Sequence, residues 1–324
     1  MDIYVKYAVI HQFSPEDTEL RLADKFLVIT PKIEEYLRKK VEKVYSDEAK
    51  TGVLDEDNLF LADLTGDLLV DSATIAQKWK EEFVASENQK TNDLIFIQFD
   101  KEGVEHFAFL RIALRDSLAH LGEDLDEPIK VTHNNLPGFG SGADEGLVVN
   151  LQTRKYHLVE KRIKANGAFL NYFSEHLLQA QPRISPKKSI KEMEKTAERV
   201  AKSFNQDDFQ FQSKLKSSIL KNLEEHDELS PEKLAEDLFD QNLTARLTFV
   251  DQVKEAVPDP VKFDEIDSSR QIKRFENQKL SLSNGIELIV PNQVYQDAES
   301  VEFIQNADGT YSILIKNIED IQSK

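Results

Sequence analysis

Twelve Lys and Arg side chains fall between Arg154 and Lys202 against five Asp and Glu, a local balance of +7 in a chain whose formal charge is −18. Most of such a surface repels a polyanion, so contact with nucleic acid has to be concentrated where the cations gather. They are Arg154, Lys155, Lys161, Arg162 and Lys164, then Arg183, Lys187, Lys188, Lys191, Lys195, Arg199 and Lys202. From Lys188 to Lys202 the intervals are three, four, four and three, which on a helix makes a single stripe. A stripe of this kind tracks phosphates, and phosphate contacts position a protein without reading bases. Pro182 to Pro186 lead into the helix, whose N-terminal amides also favour anions. Glu192, Glu194 and Glu198 are interspersed, however. Pairs such as Lys188–Glu192 or Glu198–Lys202 describe a solvated helix face equally well. Both readings stay open on the sequence.

Other candidate chemistry is thinner. Gly138, Gly140 and Ala143 fit a GxGxxA spacing, but the run that follows, Leu147 to Leu151, reads as a strand. A dinucleotide loop has to open a helix, and no Gly-Lys-Ser/Thr is present, so a structural loop is expected. The seven histidines (His11, His106, His120, His133, His157, His176 and His226) show no metal-binding spacing. His133-Asn134-Asn135 has the residue types of a nuclease centre without its surroundings, and a hydrogen-bonded turn is expected. With 59 acids, pairs such as Asp124/Asp126 and Asp207/Asp208 arise by chance. Cysteine is absent, which excludes disulfides and thiolate metal sites. No GxSxG elbow occurs. No catalytic residue, metal or cofactor is therefore expected.

The elements that position these residues follow from periodicity. Residues 3–10 and 20–29 read as two strands around Ser14-Pro15-Glu16-Asp17. Thr30-Pro31 opens a helix carrying Ile33, Leu37, Val41, Val44 and Tyr45 at helical spacing. A second helix spans 67–86 with the single tryptophan, Trp79. Residues 94–99 and 105–114 read as an antiparallel pair, the latter running on into a helical segment near Ser117. Strands are also expected at 147–151 and 155–163. From 168 to 257 the period is helical, with a basic helix at 189–204 whose buried side is Met193, Ala197, Val200, Ala201 and Phe204. Pro258-Asp259-Pro260 ends this region, and 279–290 and 301–315 alternate as strands. The fold class is α+β: a mostly antiparallel N-terminal sheet with helices, a helical middle and a small C-terminal β element. The expected domains are 1–165, 166–257 and 258–324. The length of 324 residues and 40% hydrophobic content support cores of that size. No apolar run is long enough to span a bilayer, no signal peptide is read at the N-terminus, and a cytoplasmic protein is the default.

These residues in their order resemble the bacterial nucleoid-associated protein family of about this length (NdpA-type). Ala8-Val9-Ile10-His11-Gln12 looks like the family's opening strand, and Val44-Tyr45-Ser46 with Gly52 like the end of its first helix. His106 to Leu114 is similar to an apolar strand of the family. Lys161, Arg162 and Lys164 precede Gly167 to Phe173 as the family's short basic stretch precedes an aromatic segment. Leu280–Val290 and Thr310–Lys316 look like its closing strands. The resemblance implies a nucleoid location, binding to DNA, double-stranded in the first instance, and no enzymatic activity. Two rival readings accompany it. One is an acidic adaptor or DNA mimic that binds a basic protein through a surface including residues 224–240. The other is a metal-dependent nuclease, which no ligand spacing supports. Homodimerisation is a hypothesis resting on the Phe-rich helices and the commonness of twofold oligomers.

Overall fold

The apolar runs near residues 96 and 109 become neighbouring central strands of one sheet, and they are nearly continuous because that sheet is covered on both faces. The computed structural model describes residues 2–16, 18–87, 90–120, 129–165, 167–206, 209–225, 228–263 and 268–320. It divides into two units, Met1–Ser185 and Pro186–Lys324. The class is α+β.

In the first unit the strands are β1 (Ile3–Ser14), β2 (Glu19–Arg21), β3 (Lys50–Val53), β4 (Asn92–Lys101), β5 (Val104–Ala113), β6 (Arg115–His120), β7 (Ile129–Asn135), β8 (Glu145–Asn150), β9 (Lys155–Val159), β10 (Ile163–Ala165) and β11 (Ala168–Leu170). Its helices are α1 (Pro31–Glu42), α2 (Leu59–Ala62) and α3 (Leu68–Phe83). Seven strands form an antiparallel sheet in the order β2-β1-β4-β5-β8-β9-β3. Alternation along β4 and β5 sorts the core. Leu94, Phe96, Phe107 and Phe109 face α3, with Trp79 and Phe83. Ile95, Ile97, Ala108 and Leu110 face α1, with Leu37 and Val41. On β1 a bulge between Val5 and Tyr7 shifts the parity, so Ile3, Val5 and Ala8 share one face. Thr30 caps α1 by accepting from the Ile33 amide at 3.4 Å, with Pro31 in the first turn.

Three local expectations are corrected. Of residues 20–29 only the first two pair, in β2 (Glu19–Arg21), and beyond it the backbone returns to β1 through one bond, Leu27 N–H to the Ala8 carbonyl at 2.8 Å. The segment near Ser117 is strand, not helix, because Arg115 to His120 pairs with β7 as a separate ribbon. The run from Ala168 to Leu178 starts as β11 and continues as a π-helical turn, Phe173–Leu177, instead of an α-helix. Its Tyr172, Phe173, Leu177 and Leu178 are buried in the core of the first unit, so tertiary packing overrides the helical spacing.

The second unit holds α4 (Pro186–Ser203), α5 (Phe209–Glu225), β12 (Glu228–Leu229), α6 (Pro231–Leu238), α7 (Leu243–Ala256), β13 (Val261–Lys262) and α8 (Ser269–Phe275), then β14 (Asn277–Ser281), β15 (Glu287–Pro291), α9 (Asn292–Gln296), β16 (Val301–Gln305) and β17 (Tyr311–Ile315). Ser230 caps α6 ahead of Pro231, accepting from the amides of Glu232 and Lys233. The C-terminal strands form two hairpins, β14–β15 and β16–β17. Gly309, at φ 84°, closes the second of them. Buried hydrogen bonds from Ser217 and Gln278 converge on Asn292 Oδ1, at 2.7 and 2.8 Å, and tie α5 to the first hairpin and α9.

Candidate nucleic-acid interface

The twelve cations divide six and six between the two units. In the first unit three of the six pair with acids. Arg154 meets Glu56 at 2.6 Å, Lys161 meets Asp144 at 2.9 Å and Lys164 meets Glu87 at 2.9 Å. Lys155, Arg162 and Arg183 are exposed, and the Arg183 amide bridges to the Thr51 carbonyl at 2.8 Å.

The other six lie on α4. Ser189, Ile190, Met193, Thr196, Ala197, Val200 and Ala201 are its buried side, at the three- and four-residue spacing that an amphipathic helix requires. Phe204, just past the end of α4, is only half-buried. The opposite side exposes Lys187, Lys188, Lys191, Lys195, Arg199 and Lys202. Among the described residues no acid pairs with Lys188, Lys191, Lys195 or Lys202, and the i,i+4 pairs with Glu192 and Glu198 do not form. Arg199 donates to Gln252 Oε1 on α7 at 2.9 Å. Glu194 is taken out of the stripe by Arg274 of α8, which meets it at 2.8 Å. That bond joins residues far apart in the chain, so no local pattern announces it.

The glycine loop does the reverse of cradling a phosphate. Its carbonyls face inward onto a buried ammonium: Lys40 Nζ donates to Ser141 O at 2.6 Å and to Gly138 O at 2.8 Å. Burial, with Lys43 and Arg115 nearby, pushes Lys40 down to about 8. Lys39, Lys43 and Arg115 also reach this loop, and the charge pattern of residues 154–202 does not include them. The visible signal was the Arg38-Lys39-Lys40 run on α1 with Lys43 just past its end.

The histidines are dispersed in space as well. His133 pairs with Asp116 and His176 with Glu82, while His11 and His106 are buried in separate settings. His133-Asn134-Asn135 lies on β7, with Asn134 at φ 56° and Asn135 bonded to the Thr132 carbonyl at 2.8 Å. His226 and the acid pairs Asp124/Asp126 and Asp207/Asp208 lie outside the described residues. Among the described residues no group of three or more His, Asp or Glu is placed to hold a metal ion. No helix is long and apolar enough to cross a membrane among them. The segment 224–240 is partly neutralised from the flanking helices α5 and α7: Lys254 meets Glu232 at 2.6 Å and Lys214 meets Asp240 at 3.0 Å. Lys254 and the Ser230 hydroxyl hold the Glu232 carboxyl down at about 2.

These features define an α+β protein that carries a cationic helix face in an otherwise acidic chain. The chain belongs to the family described as nucleoid-associated protein YejK, whose sequence profile matches residues 9–321. No curated protein matches the chain significantly.

Proposed function

We propose that this chain is a DNA-binding protein of the bacterial nucleoid, cytoplasmic and without catalysis of its own, which holds duplex DNA by its phosphates through α4. The observation that carries the reading is the exposed row Lys188, Lys191, Lys195 and Lys202, without acid partners among the described residues. Membership of a nucleoid-associated family supports it. A helix that turns Glu194 inward and its lysines outward concentrates positive potential where a net charge of −18 would otherwise forbid DNA.

The test replaces Lys188, Lys191, Lys195 and Arg199 by Glu. Duplex affinity should fall on every sequence tried, and the slope of log affinity against log salt should flatten by about 3 to 4. Sequence preference should change little. The fold should survive, because the four side chains are exposed. A folded variant with unchanged affinity and salt slope rejects the assignment to α4. For the absence of catalysis, supercoiled plasmid with Mg²⁺ or Mn²⁺ should stay intact. Nicking that survives purification and disappears on mutation of one acidic cluster overturns that part.

A further inference from the structure

Five cations from three separate stretches of sequence meet at the loop 137–144. Lys39 Nζ lies 5.3 Å from the centre of the Phe139 ring. Lys40 is the loop's internal anchor. The Lys43 side chain runs beside Gly142, where a β-carbon would stand 3.8 Å from it. Arg115 and Lys161 approach Asp144 at 3.8 and 2.9 Å. Among the described residues Asp144 itself and Glu35, which meets Lys39 at 2.7 Å, oppose them. Glu145 next door is committed to Arg111. Lys161 and Arg115 keep 61% and 56% of their side-chain surface exposed, so their charge remains available to a ligand.

The same loop presents an aromatic ring. Phe139 is 39% exposed and is flanked by Gly138 and Gly140, where an added β-carbon would meet nothing within 4 Å. Open space therefore lies on both sides of it along the chain. Its support is rigid. Tyr36 stands edge-on to the ring at 5.4 Å, and the Tyr36 hydroxyl donates to the Pro137 carbonyl at 3.0 Å. Lys40 ties down the carbonyls on either side of it, from Gly138 and Ser141. A ring already held in place loses little entropy when a base settles on it.

We infer that this loop is a second nucleic-acid site and that it takes single-stranded DNA, with Phe139 stacking a base and Lys43, Arg115 and Lys161 holding adjacent phosphates. An exposed aromatic among cations suits unpaired bases, whose faces are free. The bases of a duplex already stack on each other, and the exposed side of α4 is Lys, Arg and Glu with no ring. The inference rests on reading the chain as a DNA binder, but it does not depend on α4.

The experiment measures anisotropy of a short fluorescent oligo-dT and of a duplex of equal length, with the full chain. Phe139→Ala should lower oligo-dT affinity by about 5- to 100-fold. Duplex affinity should stay within about twofold, since phosphate contacts alone hold a duplex. Phe139→Trp should keep oligo-dT binding, because stacking needs a ring and not a particular one. Together Lys43→Gln, Arg115→Gln and Lys161→Gln should flatten the oligo-dT salt slope by about 2, from roughly 0.7 per single-strand phosphate. Thermal melting confirms that each variant is folded. Unchanged oligo-dT binding in both folded variants overturns the inference, as does a wild-type chain that binds duplex and no oligo-dT. Equal loss on duplex and single strand overturns the stacking assignment. Loss of duplex binding in the α4 variant alone, with oligo-dT binding retained, supports both sites. Loss from the loop variants with none from α4 rejects the α4 assignment and leaves this one standing. A chain that binds neither form rejects both.

Discussion

Arg274 Nη2 donates to both carboxylate oxygens of Glu194, at 3.1 and 2.8 Å. The contact ties α8 to α4 and turns the central acid of the cationic stripe inward. Burial raises the Glu194 carboxyl above its ordinary range, and Arg274 pulls it back.

Arg274→Ala should therefore leave a largely buried carboxylate without its cation. The guanidinium is about half exposed, at 48%, so screening reduces the loss. It should amount to about 1–2 kcal/mol. Adding Glu194→Gln should recover part of it. Urea unfolding followed by far-ultraviolet dichroism checks this, because the single tryptophan, Trp79, reports only on the other unit.

Acid should weaken the first unit through His11. Its Nδ1 accepts from the Ala23 amide at 3.0 Å, so its proton sits on Nε2, 3.0 Å from the Ser72 hydroxyl oxygen. Burial pushes the imidazole from 6.5 down to about 4. The unfolded chain takes up this proton near 6.5 and the folded chain only near 4. The stabilisation is complete above 6.5 and falls away as the pH drops through that window. The loss should approach about 3 kcal/mol at the acid end. His11→Gln should flatten the dependence in that window. Denaturation at several pH values, read by Trp79 fluorescence, measures it.

Glu145 is the acceptor at the centre of a buried network. Arg111 Nε donates to it at 2.5 Å and the Lys161 amide at 3.2 Å, and the Tyr172 hydroxyl donates to the oxygen that Arg111 uses. Trp79 Nε1 then donates to the Tyr172 oxygen at 2.9 Å. Glu145→Ala should cost about 3–5 kcal/mol, since it leaves Arg111 buried and unpaired. Tyr172→Phe should cost about 1–2 kcal/mol and shift Trp79 emission, because it removes the indole's acceptor.

A methyl group at Gly146 should also be costly. An added β-carbon would lie 2.7 Å from Val44 Cγ2 and 3.2 Å from Leu110 Cδ2, where β8 passes under the end of the first helix. Gly146→Ala should destabilise the unit by about 1–3 kcal/mol through overpacking. Calorimetry should show a lower Tm with duplex affinity unchanged, since the site is remote in kind from the charged faces.

Much of the architecture was legible in short-range pattern. Thr30-Pro31 and Ser230-Pro231 mark real helix starts, and Glu102-Gly103, with φ of 55° and 82°, turns β4 into β5. The α4 spacing separates its buried from its exposed side as periodicity says it must. Residues 168–178 escaped this reading. Their apolar spacing suits a helix, but Tyr172 and Phe173 are drawn into the core beside Trp79 and Phe109.

By itself, then, the sequence determined the family, through motifs spread along the chain, and the α+β class, the two periodic regimes and the lysine stripe, because each of these depends on residues a few positions apart. Only the tertiary structure decided which charges survive to face outward. With 41 bases and 59 acids, partners are chosen by contact, not by sequence distance. Contact pairs Arg154 with Glu56 and Lys164 with Glu87, turns Glu194 toward Arg274, and gathers Lys39, Lys43, Arg115 and Lys161 around a glycine loop whose own carbonyls hold Lys40.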